Sequence, residues 1–368
     1  MILQDYPYLN ITEDSFADFT FKQRVPLILQ EIIDQEWPKK VKSNLIDLLN
    51  AGKKLKVKGL VISSSQSVYW ENFFENYARK SLDDIPFFFA EVYWYQYLLT
   101  ITCYEENGID PFAGKKKQEL EDSIHQYTEM LSLLDSEDLS DVLLLCLGGN
   151  KADLSQLKRQ QNELKLLTDH REQLLDSLHA NRQVHILLDN AGTELFTDLL
   201  LSWTLMKNKK CSKVILHAKA APIFVSDTIP EDIDMLLRYL YNSGKTPLIQ
   251  FAKEIRDLLD KKMIKIVPHP FWNSPNHFTS VPQEINNMFG SNDLLISKGD
   301  ANYRRFYEDR EIPSDFSGAA KITNHQFALR TLKSQIITEL DSQTAQDLTK
   351  NDPNWMINGA YAVIQELR

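Results

Sequence analysis

Between residues 184 and 300 four short apolar runs recur, each closing on polar residues: VHILLD (184–189), KVILHA (213–218), MIKIVP (263–268) and DLLISKGD (293–300). Stretches with helical periodicity, TELFTDLLLSWTLMKN and EDIDMLLRYLYNSG, lie between them. Runs this short and this apolar have the length of strands buried on both faces. Strands that alternate with helices pair in parallel, because a parallel pair needs a long crossover, and the helices then cover both faces of the sheet. Ligands in such sheets bind beyond the carboxyl ends of the strands. The residues that close each run are therefore the ones that carry chemistry.

The first half reads as helical. PFFFAEVYWYQYLLTITCYEENG (86–108) fits a buried helix entered at Pro86 and left at Gly108. KKKQELEDSIHQYTEMLSLLDS and DLSQLKRQQNELKLLTDHREQLLDSLHAN show helical periodicity on charged backgrounds, with Asp153 and Ser155 as N-caps of the second. The expected division is a helical N-terminal region over 1–165 and an α/β domain over 166–368, with the boundary between residues 150 and 181. The two halves can still share one core.

Composition narrows the function. Hydrophobic residues at 43% and charged residues at 25% exclude a globally disordered chain. Acidic residues outnumber basic ones, 51 to 41, for a net charge of −10, which argues against sequence-independent nucleic-acid binding. A small basic pocket for one phosphate remains compatible with that far field. Three widely spaced cysteines, Cys103, Cys146 and Cys211, suggest neither a disulfide framework nor a zinc site. The opening MILQDYPYLNITEDSF lacks the basic and apolar regions of a secretory signal, and no apolar run has membrane-spanning length. A cytoplasmic location is expected.

At VHILLDNAGTELF, Asp189 and Asn190 close a strand, Ala191-Gly192 permits a turn, and a helix begins at Thr193. Carboxylate and amide oxygens suit a hard divalent cation. The free N–H groups of the helix start favour an anion such as phosphate. The competing reading is a plain helix cap. In KVILHAKAAPIFVSDTIP, Asp227 ends a second apolar run before Pro230 opens a helix, and capping competes here too. His217 reads as a core histidine, and Lys219 as either solvated or a phosphate contact. In LLISKGDANYRR, Gly299 allows close backbone approach, Asp300 and Asn302 offer hydrogen bonds to hydroxyls, and Arg304 and Arg305 match phosphate. Arg330 and Lys333 of FALRTLK share a face if helical and diverge if extended. HPFWNSPNHF (269–278) reads as a lid or structural loop. No G-x-S-x-G, P-loop or G-x-G-x-x-G pattern occurs, which removes support for a serine hydrolase, a P-loop ATPase or a nicotinamide dehydrogenase.

Six segments in order resemble the damage-control phosphatase family, once catalogued as domain of unknown function 89. They are AEVYWYQYL, GNKADLS, LLDNAGTELFTDL, PIFVSD, KGDANYRR and LRTLK. The glycine-aspartate-x-asparagine stretch at Gly299–Asn302 and the arginine-threonine-x-lysine stretch at Arg330–Lys333 resemble the third subfamily. Its members have also been called acidic-residue or protein-glutamate methyltransferases. The resemblance implies a three-layer α/β/α sandwich with a helical N-terminal region. It implies metal binding by Asp189, Asn190 and Asp227, with Asp189 and Asp227 catalytic. Glu91, Asp300, Asn302, Arg304 and Lys333 would line the substrate pocket. It further implies a manganese, cobalt, nickel or magnesium ion and small substrates such as fructose 1-phosphate. Gly148, where the family has tryptophan, and the segment SQIITELDSQTAQDL, which lacks an expected glycine, bear on pocket shape.

The expected chemistry is phosphomonoester hydrolysis, with either water or the Asp189 carboxylate attacking phosphorus and water preferred. Lys333 and Arg304 would hold the phosphate, and Asp300 and Asn302 the sugar. The rivals are an S-adenosylmethionine-dependent carboxyl methyltransferase and a non-enzymatic metabolite-binding module. No glycine-rich loop after an early strand supports the first. Nothing in the sequence fixes the oligomeric state.

Overall fold

A computed structural model of the chain describes residues 2–133, 138–148, 164–179 and 182–368. Its centre is a sheet of seven strands: β1 (Lys165–Asp169), β2 (Gln183–Leu187), β3 (Lys213–Lys219), β4 (Ile264–His269), β5 (Leu294–Lys298), β6 (His325–Thr331) and β7 (Tyr361–Glu366). They lie in the order β1-β7-β6-β5-β2-β3-β4, and every neighbouring pair is parallel except β6 with β7. The four apolar runs are β2 to β5. Side chains alternate between the faces, and both faces are covered. Val184, Ile186 and Leu188 enter one apolar core, and Leu187 and Leu295 enter another on the opposite side.

The helices that matter for the site are α1 (Val25–Ile33), α2 (Phe87–Ile101), α3 (Ala113–Asp122), α4 (Leu139–Gly148), α5 (Thr193–Lys207), α6 (Pro230–Tyr241) and α8 (Gly299–Phe306), with α7 (Thr246–Asp260) beside α6. Helices α4 and α5 pack over the sheet, and Tyr127 stacks on Phe196 with ring centroids 4.3 Å apart. Residues before 113 build a separate aromatic core around Trp70, Phe73, Phe88 and Trp94. Ile223, from the turn after β3, is buried in that core and ties the helical layer to the sheet. The architecture is α/β with a mostly parallel sheet, as the strand–helix alternation implies.

One sequence expectation changes and one open alternative is resolved. The helix expected across 153–181 is interrupted. Residues 165–169 are the edge strand β1, paired with β7, and a short helix, Arg171–Asp176, follows. A partner strand overrides local helical periodicity because strand preference is set mainly by packing and pairing. The segment GNKADLS and the caps Asp153 and Ser155 lie outside the described residues, apart from its neighbour Gly148 at the end of α4. The FALRTLK segment is extended as far as Thr331, so Arg330 and Lys333 do not share a helical face. No helix among the described residues is long and apolar enough to cross a membrane.

The connectivity fixes where a ligand can sit. From β2 the chain moves to β3 and β4 on one side, then returns to place β5 on the other side of β2. The carboxyl ends of β2 and β5 thus meet at a topological switch point, where the following chains part and leave a crevice. Leu187 pairs with Ser297, so Asp189 emerges opposite Gly299. A side chain on Gly299 has no room there. A Cβ built on it would stand 1.9 Å from Asp189 Oδ2, and its φ of +76° is itself unfavourable for other residues. The expected result for Gly299→Ala is a displaced Asp189 and loss of several °C in unfolding temperature, read by calorimetry and a crystal structure. An unshifted carboxylate at wild-type stability would contradict the contact.

The N-terminal segment is anchored by one acid. Asp18 holds Lys22 and Lys53, each at 2.6 Å. Hydrogen bonds from Lys22 first, then Lys53, lower its pKa to about 2 from 3.8. A folded-state pKa below the unfolded one gives stability above pH ~4 that is lost as pH falls towards 2. Asp18→Asn should flatten the dependence of thermal midpoint on pH across that window. An unchanged slope would remove Asp18 from the anchor.

Candidate active site

Loop residues after β2 and β3 are zipped together. Thr228 N–H donates to Asp189 C=O at 2.7 Å, Ala191 N–H to Ser226 C=O at 2.6 Å, and Asn190 faces Asp227 in an isolated antiparallel bridge. Phe224 and Val225 adopt φ of 51° and 73°, a conformation uncommon for such side chains. That turn brings Asp227 back beside Asp189. Lys116 of α3 braces it from outside, donating to Asp227 C=O at 3.2 Å and pairing with Asp232 at 2.8 Å.

The side chains follow from this frame. Asp189 and Asp227 are both buried. Asn190 Nδ2 donates to Asp189 Oδ2 at 3.0 Å and to Glu194 Oε1 at 3.1 Å, while its Oδ1 accepts from Ser226 Oγ at 2.6 Å. Burial, then the charges of Asp227 and Glu194, push the Asp189 carboxyl well above its usual range against the pull of Lys219 and Lys333. Burial also raises Asp227, opposed chiefly by Lys219. Lys219, left open between two roles by the sequence, is an internal counter-charge. Its Nζ donates to Leu188 C=O at 2.9 Å and lies 3.1 Å from Asp227 Oδ2, off the line of a hydrogen bond, so Oδ2 has no donor.

These residues open into one cavity of about 230 Å³, lined among others by Glu91, Asp189, Asn190, Glu194, Asp227, Asp300, Arg304 and Lys333. Seven of the eight residues expected at a site line it. The eighth, Asn302, is buried under the strand ends and donates to Leu188 C=O at 3.3 Å and Lys298 C=O at 2.9 Å. It fixes β2 against β5 from below the cavity. Arg304 lines the wall but is already engaged. It pairs with Glu91 at 2.6 Å and Asp309 at 2.7 Å, and lies over the rings of Phe87 and Phe88. Asp300 is held by Arg330 and accepts from Ser334 Oγ at 3.2 Å, while its Oδ2 has no donor.

The expectation of a free helix start for phosphate needs correction. Thr193 N–H at the start of α5 faces Glu119 Oε1 of α3 at 3.4 Å, and Glu119 packs so closely that a Cβ on Gly192 would stand 2.3 Å from it. An anion already occupies that terminus, supplied by the protein itself. His217 is a core residue, 3.0 Å from His185. The HPFWNSPNHF loop is structural: Asn273 Oδ1 accepts from Ala220 N–H at 2.7 Å and its Nδ2 donates to Ala221 C=O at 2.7 Å.

Sequence reading missed Phe16, Arg24, Glu194, Ser226, Lys298 and Thr331 in the cavity wall. Glu194 carried a signal, lying one helical turn beyond Asn190. Lys298 carried one too, at the end of β5, where it pairs with Asp198 at 2.6 Å. Phe16 and Arg24 carried none, being more than 150 positions from the strand ends they join.

The donor set fits a hard divalent cation. Two buried carboxylates and a carboxamide share a small polar space, and one carboxylate oxygen has no donor. Among the described residues no three His, Cys, Asp or Glu side chains cluster at ligand spacing. A cation held here would therefore complete its shell with oxygen from outside the protein, as magnesium-like ions do.

Comparison with known proteins shows the family and the fold. The damage-control phosphatase ARMT1-like domain matches residues 20–348. Damage-control phosphatase ARMT1 of Danio rerio is 26% identical, over 96% of this chain and 95% of its own length. The Homo sapiens protein of that name is 27% identical over 95% and 96%, and the Xenopus laevis one 30% over 62% and 59%. A solved DUF89-family protein from Pyrococcus horikoshii shares the fold, with TM-score 0.54 at 14% identity, covering 96% of this chain and 98% of that one. With its domain match spanning most of its length, the chain belongs to the family of damage-control phosphatases with an ARMT1-like domain.

Proposed function

We propose that this cavity hydrolyses phosphomonoesters of small metabolites, with Asp189, Asn190 and Asp227 holding a divalent manganese, cobalt, nickel or magnesium ion. The observation that carries the reading is the pairing of two buried carboxylates whose ionisation stays disfavoured despite the cations around them, Lys219 and Lys333 at Asp189 and Lys219, Lys116 and Arg305 at Asp227. Buried like charges are costly, and a bound cation removes that cost. Such an ion, when bound, neutralises phosphoryl oxygens and acts as a Lewis acid.

The protein's own groups divide the remaining work. Lys333 lines the cavity without an ion-pair partner among the described residues and, after Lys219, is the second cation acting on Asp189. It holds the transferred phosphoryl group and balances its charge. Asp300 Oδ2, lacking a donor, accepts a substrate hydroxyl. Glu91 does the same from α2, held in place by Arg304, which acts through position rather than by gripping phosphate. Asn302 keeps Leu188 and Lys298 in register beneath. A water in line with the leaving oxygen is the attacking group, since Asp189 is committed to the cation. A sugar phosphate such as fructose 1-phosphate, with one dianion and several hydroxyls, suits this arrangement.

The test is phosphate release from p-nitrophenyl phosphate and fructose 1-phosphate after chelation and readdition of each metal. Asp189→Asn should lower kcat/KM by about 10²- to 10³-fold, the scale lost when transition-state charge stabilisation is removed. Without cation, the same variant should unfold at a higher temperature than wild type, because one of two buried like charges is gone. Added cation should raise the wild-type midpoint and leave the variant's unmoved. Retained turnover, or a wild-type midpoint indifferent to every ion, would reject the assignment.

A further inference from the structure

The cations that line or flank the cavity are of two kinds. Lys298, Arg304 and Lys219 are neutralised by Asp198, by Glu91 with Asp309, and by Asp227. Arg24 and Lys333 reach the same cavity with no ion-pair or hydrogen-bond partner among the described residues. They stand in different places. Lys333 acts on Asp189 and on Glu119, beside the proposed phosphoryl site. Arg24 acts on Tyr95, one turn beyond Glu91 on α2.

The backbone at Arg24 is fixed by local structure. Pro26 has no N–H to donate, and its ring crowds the carbonyl four residues back, so the helix entering α1 widens into a π turn over Thr20–Arg24. Such turns recur at functional sites. The preceding turn, Phe16–Phe19, is capped by Ser15 Oγ accepting from Asp18 N–H at 3.1 Å, and Asp18 is pinned by Lys22 and Lys53. Phe16 of the same segment joins Arg24 in the cavity wall. An anchored segment thus carries an uncompensated, exposed guanidinium to the wall of the substrate cavity, on a part of the chain other than the Lys333 segment after β6.

We propose that Arg24 receives a second anionic group on the substrate, so that among the sugar phosphates the cavity can accept, those that also carry a carboxylate or further phosphate are preferred to those with hydroxyls alone. This rests on the phosphatase reading above. Arg24 is exposed, and its guanidinium fork can pair two donors with either anion in charge-assisted bonds stronger than neutral ones. A substrate with hydroxyls alone leaves that fork without a partner.

The test compares 6-phosphogluconate with sorbitol 6-phosphate, open six-carbon chains that differ in carrying a terminal carboxylate or a hydroxyl. Each is assayed with wild type, Arg24→Gln and Arg24→Lys. The ratio of the two kcat/KM values should favour the carboxylate in wild type. It should fall by about tenfold or more in Arg24→Gln, as expected for one hydrogen bond to a charged group. Arg24→Lys should keep part of the preference. The ratio is insensitive to any loss of folded protein, which lowers both values alike. A wild type that favours the hydroxyl ester, or a ratio unmoved in Arg24→Gln, overturns the proposal while phosphate release upholds the phosphatase reading. Absence of release from p-nitrophenyl phosphate and both sugar esters with every divalent ion overturns that reading, and the assignment of Arg24 with it.

Discussion

Two carboxylates of one charge, buried next to each other with Lys219 as the one cation in direct ion-pair contact among the described residues, set the terms for the rest of this molecule. A protein does not gather Asp189 and Asp227 away from water without a reason, because burial disfavours ionisation of both and the charge of Asp227 adds to that cost at Asp189. The cost is built in by backbone, through the bonds from Thr228 to Asp189 and from Ala191 to Ser226. The left-handed turn at Phe224 and Val225 completes the arrangement. Strain and electrostatic cost concentrated at one place are the mark of a functional site.

The sheet makes that concentration affordable only at its switch point. Strands β2 and β5 deliver Asp189 and Gly299 to the same level, and only a glycine leaves space for the carboxylate. The helical layer then supplies groups the sheet lacks: Glu91 from α2, and Phe16 and Arg24 from the segment leading into α1. Ile223 buried among the N-terminal aromatics, and Lys116 bound to the Asp227 turn, couple that layer to the carboxylates. The groups proposed to hold the metal and those proposed to read the substrate thus come from different parts of the chain.

Much of this was legible in the residues. The apolar runs at 184, 213, 263 and 293 are strands β2 to β5, and the helices between them start where Thr193 and Pro230 stand. Asp189, Asn190, Asp227 and Asp300 were visible because strand ends followed by turns expose short polar side chains. What stayed hidden has a common cause: it depends on partners remote in sequence. Strand β1 is a strand because β7 lies beside it, and its own residues carry a helical pattern. Arg304 looked like a phosphate ligand until Glu91, 213 positions away, claimed it. The start of α5 looked open until Glu119 closed it. Arg24 belongs to an amphipathic helical stretch whose pattern says nothing about a cavity on its far side.

The central claim is that Asp189, Asn190 and Asp227 converge on one cation. Its most direct test is anomalous diffraction at the manganese edge from crystals equilibrated with Mn²⁺. A single peak within coordination distance, about 2.0–2.3 Å, of Asp189, Asn190 Oδ1 and Asp227 oxygens is the predicted result. Two carboxyl groups sharing a proton with no peak between them, or a peak elsewhere in the molecule, would contradict it.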